Sequence, residues 1–88
     1  MATTHELKTI PPFFEDVRLG RKTFEFRKND RNFRVGDSLE LREYLPASKA
    51  YSGRQIKCKI VYILSDFEGI KDGYAILGIA DVEESLPF

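Results

Sequence analysis

The sequence predicts a mixed α+β, mostly β domain of about five strands and one short N-terminal helix, curled into a small, partly closed barrel. Three observations predict it. Period-two alternation of apolar and polar residues recurs along the chain, broken by clusters of Gly, Asn, Asp and Ser. Helical spacing occurs once, at Phe13, Phe14, Val17 and Leu19. The 88 residues make one domain, 1–88, without room for a second. A chain this short buries about 60% of its unfolded surface, so the core is modest. Seven Phe and four Tyr give that core bulk.

The elements follow in order. His5–Ile10 reads as an opening strand, with Leu7 alternating against His5 and Thr9. Pro11-Pro12 ends it and suits the first turn of a helix. Glu15 and Asp16 stand where the helix dipole favours acids, and Gly20 is the stop. Thr23–Arg27 is the second strand. Its alternation would bury Phe24 and Phe26 on one face and set Thr23, Glu25 and Arg27 on the other. Lys28–Phe33 is a polar connection, and Val35–Ser38 a turn before the strand Leu39–Leu45. Pro46–Arg54 is a loop whose Ser52-Gly53 turn would join a hairpin. Gln55–Leu64 is a long strand with Ile56, Cys58, Ile60 and Tyr62 on one side and Val61 and Ile63 on the other. Ser65–Gly73 is a second loop, Tyr74–Val82 the last strand, and an acidic tail follows.

Fourteen basic and fourteen acidic residues cancel, so no global field draws in polyanions. Their placement is uneven. Arg18, Arg21, Lys22, Arg27, Lys28, Arg31 and Arg34 face only Glu25 and Asp30 in residues 18–34, whereas acids dominate after residue 65. A basic segment of this kind suits phosphate, and it equally suits a solvated surface.

Cys58 is the only cysteine, in phase with Ile56 and Ile60, and reads as a small buried hydrophobe. His5 is the only histidine, in no ligand-spaced cluster, and reads as a polar residue at a strand edge. No metal, cofactor or membrane association is therefore expected. The N-terminus lacks the apolar run of a signal peptide, and no stretch approaches a membrane span, which points to a cytoplasmic protein.

Lys22, Glu25 and Arg27 form the constellation with chemical potential. A lysine and an arginine bind phosphate or a base carbonyl; a carboxylate accepts from a base amino group or holds the two cations in place. The spacing alone equally fits an ion-pair network that shapes a turn.

Gly20-x-Lys22-x-x-Glu25-x-Arg27 resembles the Gly-x-Lys-x-x-Glu-x-Arg signature of ASCH domains, relatives of the PUA RNA-binding barrels. The wider run is similar to the small bacterial and phage family DUF3850. Its carriers here are His5-Glu6-Leu7-Lys8, Phe13-Phe14, Phe24 through Arg31, Val35-Gly36-Asp37, Glu43-Tyr44 and Gly73-Tyr74. The resemblance implies a PUA-like β-barrel with a cleft beside the signature, proposed in that superfamily to bind RNA. It implies Lys22, Glu25 and Arg27 at the cleft and Lys28, Asn29 and Arg31 at its rim, with Tyr44 and Tyr51 offering stacking faces to unpaired bases.

Some ASCH-like proteins are enzymes, among them an amidohydrolase of N4-acetylcytidine that uses a lysine, a threonine and a glutamate. Lys22 falls on that lysine, but Glu25 takes the place of the threonine, and Thr23 lies two residues too early. A carboxylate does not replace a hydroxyl nucleophile in acyl transfer, so no catalytic residue is assigned. The leading expectation is a module that binds RNA or a nucleotide-like ligand. Behind it stand a small enzyme acting on a modified nucleoside or RNA, and a domain that binds an acidic protein partner. Oligomeric state is open.

Overall fold

A computed structural model describes residues 2–85. It contains β1 (Thr4–Thr9), α1 (Phe13–Arg18), β2 (Phe24–Lys28), β3 (Ser38–Leu45), β4 (Ala50–Ser65) and β5 (Tyr74–Ser85). The strands form one sheet in the order β1-β3-β4-β5-β2, curled as a half-barrel. β1 pairs with β3 in parallel; every other pairing is antiparallel. The mostly β architecture with one short helix is the one the sequence predicts.

Strict alternation makes β1 and β3 half-buried strands. His5, Leu7 and Thr9 point inward from β1, and Leu39, Leu41 and Glu43 from β3. They meet Ile56, Cys58 and Ile60 of β4, Ala75, Leu77 and Ile79 of β5, and Phe14 and Val17 of α1. Six residues are too few for a helix to persist alone. α1 is held by those two buried side chains, while Phe13 and Leu19 remain exposed. Gly20 takes a left-handed φ of 78°, and the Asp16 carbonyl accepts from the amides of Arg21 and Lys22 (2.9 and 3.0 Å), closing the helix into β2.

Several expectations are corrected. β2 is inverted: Glu25 is buried (2% exposed), while Phe24 and Phe26 stand outside, 44% and 49% exposed. Glu25 pairs in register with the core residue Leu77, and two cations neutralise it, so its burial is tolerated. The β3–β4 turn lies before Ala50, with Lys49 at φ 53°, and Tyr44 pairs with Tyr51. Ser52–Arg54 form a bulge instead of the turn, with Gly53 at φ 96°.

A second bulge between Ile60 and Tyr62 reverses the phase of β4. Tyr62 is therefore 65% exposed, while Ile63 packs against the core. Phe33, placed in a polar connection, is a core residue. β5 runs on through Glu83 and Glu84, which pair with Lys57 and Ile56, so these acids belong to the sheet and not to a tail. Residues 86–88, also assigned to that tail, lie outside the described residues.

His5 is on an edge strand but is buried. Its Nε2 lies 2.8 Å from Oδ2 of Asp37, and its ring meets Phe33 edge-on at 4.8 Å. Asp37 also accepts from the amides of Thr3 and Arg34 (3.0 and 3.1 Å). The His5 hydrogen bond, then the Thr3 amide, hold the Asp37 carboxyl below the usual carboxylate range. This pair ties the 34–37 turn to the start of β1.

Arg54 of β4 gathers Glu15 of α1 (2.9 Å) and Glu84 of β5 (3.2 Å), and its guanidinium lies 5.1 Å from the Phe14 ring centroid. Arg18 completes the cluster with two hydrogen bonds to Glu15 (2.9 and 2.8 Å). The hydrogen bonds from Arg18 and then Arg54 draw the Glu15 pKa down to about 2. The acidic end of the chain and part of the basic segment therefore neutralise each other.

Candidate functional site

β1 and β2 are the two free edges of the sheet, and the curl brings them face to face. Side chains bridge the gap where no ladder forms. The Arg27 Nη2 donates to the Lys8 carbonyl (3.0 Å) and to Thr9 Oγ1 (3.1 Å), and Arg31 donates to the Glu6 carbonyl. Two arginines thus cover carbonyls that an exposed edge would present to another strand.

Glu25 sits beneath this seam. Its Oε2 accepts from Lys22 Nζ at 2.6 Å; its Oε1 accepts from Arg27 Nε and Nη2 at 2.9 and 2.7 Å. Lys22 Nζ also donates to the Phe24 carbonyl (2.8 Å). Both oxygens of the buried carboxylate are engaged, so Glu25 is a brace that fixes two cations. Its charge also reaches the interior. Burial, and secondarily the Glu25 carboxylate, push the Cys58 thiol up to about 12, which leaves it unreactive near neutrality.

Beside the brace lies a cleft of about 560 Å³, lined by Lys8, Thr9, Ile10, Phe13, Lys22, Phe24, Glu25, Phe26 and Arg27. Phe13, Phe24 and Phe26 each present about half of their surface to solvent. Lys22 Nζ hangs 4.9 Å from the Phe24 ring centroid and 5.8 Å from that of Phe13. Such a site offers flat apolar faces beside fixed positive charge. That combination grips a planar ring carrying an anionic group.

Lys22, Glu25 and Arg27 converge as their spacing suggests. Lys28, Asn29, Arg31 and Tyr44 do not line this cleft. Lys28 is exposed at the end of β2, opposite Tyr74. Asn29 shapes the following turn: its amide donates to the Gly73 carbonyl (2.7 Å), and its Oδ1 accepts from the Phe33 amide (3.3 Å). Arg31 covers the β1 edge. Tyr44 packs edge-to-face on Tyr51 at 5.3 Å, with Lys8 Nζ 4.2 Å from its centroid.

Sequence reasoning missed the aromatic lining. One signal was available: adjacent Phe13 and Phe14 on a short helix cannot both face the core, because successive helical residues diverge by roughly 100°. Among the described residues no group of three His, Cys, Asp or Glu is placed to hold a metal ion, and no helix is long and apolar enough to cross a membrane.

Residues 4–79 match the domain of unknown function DUF3850. The chain belongs to the DUF3850 family. It is also 35% identical, over 77 residues, to an uncharacterised 12.9 kDa protein in the GpA 3′ region of Escherichia phage P2. That alignment covers 88% of this chain and 68% of the phage protein. The DUF3850 match runs from the start of β1 into β5, so every residue lining the cleft lies within it.

Proposed function

We propose that this DUF3850 protein is a binding module for RNA or a nucleotide-like ligand, held in the cleft between β1, α1 and β2. One observation carries the reading: three solvent-facing phenylalanines and a cation pair braced on a buried carboxylate share a single cleft. Phe13, Phe24 and Phe26 take the face of a base. Lys22 meets phosphate. Arg27 divides its guanidinium between Glu25 and the β1 edge, and so holds the cleft open at a fixed width. The likeness of the Gly20–Arg27 signature to that of ASCH and PUA-like domains supports the same reading.

The test uses Phe13 and Lys22. Truncating either cation takes one partner from the buried Glu25, but truncating Arg27 would also release its hydrogen bonds to the β1 edge and unpin the seam, confusing binding with folding. Phe13→Ala is expected to weaken binding of a short single-stranded RNA by about tenfold. Lys22→Ala is expected to weaken it and to lower the slope of log K against log salt by about 0.7, one phosphate's share. Calorimetric titrations at several salt concentrations, with circular dichroism to verify folding, decide it. Unchanged affinity in both folded variants would move the binding site elsewhere.

A further inference from the structure

Alternation along β2 sends Phe24, Phe26 and Lys28 to the outer face of the sheet, and the register places their neighbours. Phe24 lies beside Gly78 of β5 and, beyond it, Tyr62 of β4; Phe26 lies beside Ile76 and then Leu64; Lys28 lies beside Tyr74. The bulge at Ile60/Tyr62 is what turns Tyr62 outward into this row. Phe26 and Tyr74 stack at 5.3 Å with their planes 18° apart. Glycine at 78 leaves the bare strand against which Tyr62 lies, since an added Cβ would come within 3.2 Å of the Tyr62 Cβ. The opposite half of the outer face is polar, built from Thr4, Glu6, Lys8, Ser38, Glu40, Arg42, Lys57 and Lys59. Tyr44 and Tyr51 are the aromatic exception on that half, and Lys8 and Arg42 lie over their rings. The longer aromatic row is the one on the three strands that continue from the cleft.

We propose that this outer face of β2, β5 and β4 is a stacking platform for further bases of a single-stranded RNA whose first nucleotide occupies the cleft. The inference rests on the cleft reading and narrows its ligand to an oligonucleotide, as opposed to a free nucleotide. Phe24 and Phe26 belong to both surfaces, so a strand leaving the cleft passes directly onto Tyr74 and Tyr62. The chemistry favours a nucleic acid. Four aromatic rings offer sequence-tolerant stacking faces. Lys22 and Lys71 sit over the rings of Phe24 and Tyr74 at 4.9 and 5.3 Å, where a backbone phosphate beside a stacked base would meet them. Lys28 and Lys71 are exposed and pair with no carboxylate among the described residues.

Calorimetric titration with uridine 5′-monophosphate and with hexauridylate tests this in the unaltered protein, Tyr62→Ala and Tyr62→Phe. Tyr62 lies outside the cleft, and its replacement leaves every charge in place. Tyr62→Ala is expected to lose about tenfold in affinity for hexauridylate and nothing for the monophosphate, while Tyr62→Phe retains both. Monophosphate binding with hexauridylate affinity indifferent to Tyr62→Ala would overturn the platform and leave the cleft standing. Failure of both ligands to bind the unaltered protein would overturn the cleft reading, and the platform with it. Sedimentation supplies a further arm. A dimer that Tyr62→Ala dissociates, with RNA affinity unchanged, would make the face a self-association surface and sink the proposal.

Discussion

Glu25→Ala is expected to destabilise the folded protein by about 3 kcal/mol, read as a shift in the urea midpoint or a fall of about 15 °C in Tm. The carboxylate is 2% exposed, and the Lys22 and Arg27 side chains are only 18% and 24% exposed. Removing it leaves two cations facing each other at the mouth of the barrel without their counter-ion. Their partial exposure keeps the cost toward the lower end of the range for a broken buried pair. The seam amplifies the loss, because the Arg27 that Glu25 orients is also the group that holds the β1 edge. Glu25→Gln keeps an acceptor for one cation and is expected to lose about half as much. An alanine variant that unfolds at the wild-type midpoint would show that the triad does not organise this end of the sheet.

Phe14→Ala is expected to cost more, about 4 kcal/mol. The ring is fully buried, and with Val17 it supplies the apolar contact that holds α1 to the sheet. A helix of six residues has no stability of its own, so its loss frees the whole turn that carries Phe13 to the cleft. Small domains are stable by little more than about 5 kcal/mol, so this variant should retain only about 1 kcal/mol and populate the unfolded state measurably near 37 °C. Phe13→Ala, one residue away but exposed, should unfold within about 0.5 kcal/mol of wild type. Chemical denaturation of the two variants side by side measures the contrast. Equal effects would contradict the division of labour between the two rings.

The number of strands and the place of the helix were legible in the sequence because each rests on local pattern. Period-two alternation marks β3, and Pro11-Pro12 and Gly20 bracket α1. The facing of strands was less legible, since it depends on which strand lies beside which. Tyr62 turns outward because of a bulge against β5, and nothing within 55–64 announces it. β2 misled for a related reason. Two phenylalanines alternating with charges read as a core face, yet the acid goes inside because Lys22 and Arg27 neutralise it there. Pairings across long stretches of chain were also hidden, as with His5 and Asp37 or with Glu15, Arg54 and Glu84.

At the candidate site the charged triad was legible from spacing and the rest was not. Lys8, Thr9 and Ile10 join it only because the half-barrel brings β1 across to β2. Phe24 and Phe26 line the cleft only because β2 is inverted relative to its apparent pattern. The chemistry was therefore half visible: cations without the aromatic faces that accompany them.

Whether the cleft between β1, α1 and β2 receives a base and its phosphate is decided by a heteronuclear NMR titration. The labelled protein is mixed at low salt with a short mixed-sequence single-stranded RNA. Saturable shifts are expected, centred on Phe13, Lys22, Phe24, Glu25 and Arg27, with the polar outer face of β1 and β3 undisturbed. An unchanged spectrum, or shifts confined to that polar face, would contradict the cleft reading.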